Sequence, residues 1–85
     1  MFFVDYSKQA EKFLERAEKI VAKRILSKID ELTNEPALRG SKPVHGYKEK
    51  LYRVRVGDYR ILYEVDYQAK KIGIVEIDDR GRIYD

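Results

Sequence analysis

The spacing of apolar residues changes period once along this chain, and that single change excludes most architectures. From Ala10 to Leu32 the apolar residues are Ala10, Phe13, Leu14, Ala17, Ile20, Val21, Ile25, Ile29 and Leu32, with charges between them at three- and four-residue intervals. That is the period of an amphipathic helix with one apolar stripe. From Leu51 onward the period falls to two. Tyr52, Val54 and Val56 alternate with Leu51, Arg53 and Arg55, and Tyr59, Ile61, Tyr63 and Val65 alternate with Arg60, Leu62 and Glu64. Successive side chains of a strand point to opposite faces, so each run has two distinct sides. A third run, Lys71 to Ile77, reads with Val75 and Ile77 on one face and Ile72, Ile74 and Glu76 on the other.

Between the first two strands stands Gly57-Asp58, a short turn, and Asp66 to Lys70 separates the second from the third. Connections this short make the three strands an antiparallel meander. The helical segment then has to bury its stripe against one face of that meander, which leaves the face bearing Arg53, Arg55 and Arg60 uncovered. Upstream, Phe2 to Tyr6 is a β-prone run ending at Ser7, a good helix N-cap. The helical pattern stops near Asn34, because Pro36 disfavours helical geometry at the residue before it. No glycine or proline interrupts it earlier, so periodicity alone prefers one long helix; an antiparallel pair also fits the window and would need a break near Glu18-Lys19. Ala37 to Gly46 reads as a loop. The fold class expected is α+β, a small antiparallel sheet with helical cover on one face.

A chain of 85 residues supports one compact core, and residues 1–85 are expected to form a single domain. It has no cysteine and one histidine, His45, so disulfides, thiolate zinc and thiol nucleophiles are excluded and no cofactor is expected. Neither a signal peptide nor a membrane span can be read in it, and a soluble cytoplasmic protein is the default expectation.

The net charge of +3 conceals an asymmetry. Residues 1–45 carry nine basic and seven acidic residues, residues 46–63 five and two, and residues 64–85 four and six, giving +2, +3 and −2. In the middle segment Tyr47, Lys48, Lys50, Tyr52, Arg53, Arg55, Tyr59, Arg60 and Tyr63 interleave cations with aromatic rings. Phosphate backbone with stacked bases is the ligand class that suits such a surface, although a solvated sheet face gives the same composition. An enzyme limited to Arg, Lys, Tyr and carboxylates can still cleave RNA. The substrate supplies its own nucleophile, the 2′-hydroxyl, and the protein has only to align the backbone, neutralise the phosphorane and move protons. Arginine binds phosphate oxygens with two donors at once, and tyrosine stacks on bases or exchanges a proton.

The run Leu51-Tyr-Arg-Val-Arg-Val-Gly-Asp-Tyr-Arg-Ile-Leu-Tyr-Glu-Val65, followed by Ile77-Asp-Asp-Arg-Gly-Arg-Ile-Tyr-Asp85, resembles the RelE/ParE superfamily of toxins from bacterial and archaeal toxin-antitoxin pairs, and within it the RelE branch. The resemblance covers essentially the whole chain. It implies the order β-α-α-β-β-β, with a helical hairpin in place of one long helix. It also implies a ribosome-dependent mRNA endonuclease that acts in the ribosomal A site and a cognate RelB-like antitoxin as partner. By position, Arg53 and Arg55 match the basic pair facing the RNA, and Arg60 the arginine set against the scissile phosphate. Arg80 matches the basic residue of the last strand, and Tyr84 the near-terminal tyrosine. Lys48, Lys50 and Arg82 would add phosphate contacts, and His45 is a lesser candidate for the base.

Two departures from the family pattern bear on the chemistry. Where the RelE branch often carries lysine, positions 53 and 55 are arginine, a poor proton acceptor at neutral pH. The acidic pair Asp78-Asp79 stands directly before Arg80, where many relatives are basic. A ParE-type inhibitor of DNA gyrase, or a catalytically weakened basic binding module, would share the same fold.

Overall fold

A computed structural model describes residues 1–37, 40–44 and 51–79 of the chain. Seven elements follow in order: β1 (Phe3–Tyr6), α1 (Lys8–Arg16), α2 (Lys19–Asn34), β2 (Lys42–Val44), β3 (Leu51–Val56), β4 (Tyr59–Asp66) and β5 (Lys71–Asp79). The strands form one sheet in the order β1-β5-β4-β3-β2. Strands β2 to β5 pair antiparallel as a meander, and β1 lies parallel to β5, so the sheet is mixed. With β1 and β2 at opposite edges, the two helices carry the chain across one face.

The helical window divides in two, as the family resemblance implied. Ala17 and Glu18 both adopt extended backbone (ψ 151° and 149°), with neither glycine nor proline at the break. Length explains why local propensity is overruled. An unbroken helix from residue 8 to 34 would run about 40 Å at 1.5 Å per residue. The longest extent of the molecule is 34 Å, so the chain turns back and lays both halves of the stripe on the sheet. Phe13 and Leu14 of α1 and Val21, Ile25, Ile29 and Leu32 of α2 meet Val54, Val56, Ile61, Tyr63, Ile72, Ile74 and Ile77 of the sheet in one core. The Tyr63 hydroxyl is hydrogen-bonded to the Pro36 carbonyl (2.8 Å) and to Ser41 Oγ (2.7 Å), and burial raises its pKa above the ordinary tyrosine value.

Two details correct the reading from sequence. Lys42–Val44, inside the expected loop, is a strand pairing with Leu51–Arg53, and Pro43 is accommodated there because β2 is an edge strand, where a missing donor is tolerated. The other correction lies in β5. Leu62 pairs with Glu76 but Tyr63 pairs with Ile74, so Val75 is an extra residue, a β-bulge. The bulge resets the alternation, and Ile72, Ile74 and Ile77 all enter the core while Glu76 and Asp78 share the other face.

Side chains from α1 hold this irregular stretch. Strand β1 pairs only with residues 71–74, and beyond it Ser7 Oγ donates to the Val75 carbonyl (2.7 Å) and accepts from the Ala10 amide (3.1 Å). Two residues on, the Gln9 amide imitates a strand: its Nε2 donates to the Ile77 carbonyl (2.7 Å) and its Oε1 accepts from the Ile77 amide (2.9 Å). Replacing Gln9 with Ala strips both bonds from the backbone of a buried residue. Thermal melts should register a loss of about 1–2 kcal/mol, or roughly 5–15 °C for a domain of this size.

Candidate nucleic-acid interface

The face away from the helices is ordered by strand register into cross-strand rows. Lys42, Arg53, Leu62 and Glu76 form one row, and Arg55, Arg60 and Asp78 form the next. A third row, toward the other end of the sheet, holds Val44, Leu51, Glu64, Gly73 and Asp5. Cations therefore gather on β2, β3 and the start of β4, and carboxylates on β5 and the far end of β4. The alternation read from sequence in β3 and β4 produces this grouping directly, because the apolar partners of these residues are used in the core.

Arg60 stands apart from the other cations. Its residue is only 8% exposed, and its Nε is shielded from solvent. Near it, Arg55 is exposed and Arg53 half-buried, while Leu62, the next residue of β4 on this face, lies buried outside the main core. A guanidinium this little exposed has a reduced local dielectric around it, which strengthens its pull on a phosphate oxygen. Asp78 sits opposite it in register and moderates that field. Phosphate binding is what this arrangement can do: Arg53, Arg55 and Arg60 occupy neighbouring positions on one face of two paired strands, and a guanidinium fork takes two phosphate oxygens at once.

Of the residues singled out from sequence, the structure brings together Arg53, Arg55 and Arg60. Lys48, Lys50, Arg80, Arg82, Tyr84 and His45 lie outside the described residues. Lys42, paired with Arg53, also joins the cationic row, although the sequence pattern around it reads as loop. The signal available was Pro43 beside Val44, a proline next to a β-branched residue that suits an edge strand. Among the described residues, no group of three or more His, Cys, Asp or Glu side chains could hold a metal ion, and no helix is long and apolar enough to cross a membrane.

The family model for the ParE toxin of type II toxin-antitoxin systems, parDE, matches residues 4–84. The chain belongs to the RelE/ParE superfamily. It is a toxin of the type II toxin-antitoxin class. Among solved structures, this toxin is similar to the archaeal RelE-RelB complex from Pyrococcus horikoshii OT3, at 35% identity over 96% of this chain and 98% of that one, with a TM-score of 0.82. The RelBE2 complex of Mycobacterium tuberculosis matches at 25% identity over 93% and 98%, with a TM-score of 0.79. The intact E. coli RelBE complex shares the fold at 19% identity over 96% and 100%, with a TM-score of 0.82. No curated protein sequence matches it significantly.

Proposed function

We propose that this toxin is a ribosome-dependent mRNA endonuclease of the RelE type. The observation that carries the reading is the cluster of Arg53, Arg55 and Arg60 on the sheet face that the helices leave open. The 35% identity to the RelE-RelB complex of P. horikoshii supports it. In the reaction the 2′-oxygen of the RNA bonds to the adjacent phosphorus and the 5′-oxygen leaves. The 2′-hydroxyl proton passes to a base, and the leaving oxygen takes one up. Arg60 holds a non-bridging oxygen of the phosphorane, and Arg53 and Arg55 align the flanking phosphates. Arg80 and Tyr84 are assigned by resemblance to charge neutralisation and to stacking or proton transfer, with Lys48, Lys50 and Arg82 as outer phosphate contacts. Arginine at positions 53 and 55 strengthens the clamp and removes the easiest base, which leaves Tyr84 as the leading group for proton exchange.

The partner in this reading is a RelB-like antitoxin, since the relatives just named were solved as RelE-RelB and RelBE complexes. Its acidic groups would neutralise the arginine rows. Purified toxin added to translating ribosomes should cut mRNA in the A site; fully folded protein that leaves the mRNA whole rejects the proposal. A second reading, inhibition of DNA gyrase, is favoured by the family model, which describes a ParE toxin. Loss of gyrase supercoiling with mRNA intact would select it.

A further inference from the structure

A second cationic site lies on the helix side of the sheet. Lys23, Arg24, Ser27 and Lys28 of α2 face Arg55 and Gly57 of the β3–β4 hairpin across an open groove of about 490 Å³. Among the described residues no carboxylate lines it. Lys28 is drawn toward the exposed Glu31 (3.6 Å), a weak surface pair, so the charges the helix brings to the groove are chiefly Lys23 and Arg24, with Arg55 at its sheet edge. Gly57 shapes the groove twice over. It takes a left-handed φ of +59°, and a Cβ there would lie 3.0 Å from Arg24 Nη2, so the guanidinium rests across the turn where any side chain would displace it.

We infer that this groove binds the phosphodiester backbone of the same RNA strand that the open face holds, as that strand rounds the edge of the sheet. The inference rests on the reading of the open face as an RNA surface. Two features favour nucleic acid over a protein segment. Arg55 belongs to both sites: it lines the groove and is paired in register with Arg60. The path between the sites is also clear, because β2 pairs only as far as Arg53, and no strand covers Val54–Val56 on that side among the described residues. A docking helix would need an apolar row. Among the described residues the groove's larger apolar side chains are Ile20 and Val56, whereas its cations suit a chain of phosphates.

The test uses the full chain and 2′-O-methyl RNA, which lacks the nucleophile, as a fluorescent four-nucleotide and a twelve-nucleotide probe. Lys23→Gln/Arg24→Gln should bind the longer probe about 25-fold more weakly at 0.1 M salt. The slope of log K against log salt should fall by about 1.4, two phosphate contacts of about 0.7 each on a single strand. The four-nucleotide probe, which spans only the open face, should bind as to wild type. Should loss of Arg24 disturb the turn, Lys23→Gln/Lys28→Gln leaves it in place and should still lower the slope by about 0.7. An unchanged slope in both variants overturns the inference. So does equal weakening of the two probes, which would mark a diffuse field, or weaker binding of poly-glutamate with RNA binding intact, which would mark a protein site. Wild-type toxin that fails to cut mRNA on ribosomes defeats the endonuclease reading alone; an unchanged slope with cutting intact defeats the groove alone.

Discussion

Arg60→Ala should slow A-site cleavage by about a thousandfold while the protein stays folded. One preorganised charge that contacts the oxygen on which charge develops is worth roughly 10² to 10⁵ in rate, depending on burial. Arg60 sits at the favourable end of that range because the residue is only 8% exposed, with buried Leu62 next to it on the same face of β4. Its removal also leaves Asp78 facing the substrate with less opposing charge, which adds repulsion to the lost attraction. Arg60→Lys keeps the charge but loses the fork, and should recover only about tenfold of the loss. Rates are read by primer extension on mRNA from translating ribosomes, and circular dichroism melts confirm the fold of each variant. Cutting at the wild-type rate by Arg60→Ala would remove Arg60 from the mechanism.

The parts of this toxin that the sequence made legible are those where one local pattern has one structural solution. The alternations in Leu51–Val56 and Tyr59–Asp66 place Arg53, Arg55 and Arg60 on a shared face, and the register of the structure does the same, with Arg55 opposite Arg60 and Arg53 opposite Leu62. The Ser7 cap was equally readable, since a hydroxyl before an amphipathic run has one common use. Features set by other parts of the chain were not legible. The break at Ala17-Glu18 answers to the size of the sheet, and no residue type marks it. Gln9 looks like an ordinary polar position of a helix, and its role exists only because β1 ends before Ile77 does. Lys42 joins the cationic row through a strand of three residues, too short for periodicity to register.

The bulge at Val75 separates the two kinds of legibility and yields the largest expected effect on stability. By strict alternation Ile77 lies on the opposite face from Ile72, Ile74 and Glu76, so with Ile72 and Ile74 in the core it would face outward and Glu76 inward. The register reverses both assignments: Ile77 is 0% exposed in the core, and Glu76 is half-buried on the open face beside Leu62. Ile77→Glu therefore drives a carboxylate into a site among Ile and Tyr side chains, at a cost of more than about 4 kcal/mol. At about 0.05–0.15 kcal/mol per residue, a domain of this length has only roughly 4–13 kcal/mol to lose. The variant should be largely unfolded at 25 °C, whereas Ile77→Val, which removes one methylene, should cost about 1 kcal/mol. Glu76→Ile, by contrast, should shift stability by less than about 1 kcal/mol and leave the cooperative transition intact. Urea titrations followed by circular dichroism measure all three. A folded Ile77→Glu beside an unfolded Glu76→Ile would place the two residues on exchanged faces. It would also put Asp78 on the core side, away from Arg60, and so dismantle the row on which the phosphate site is built.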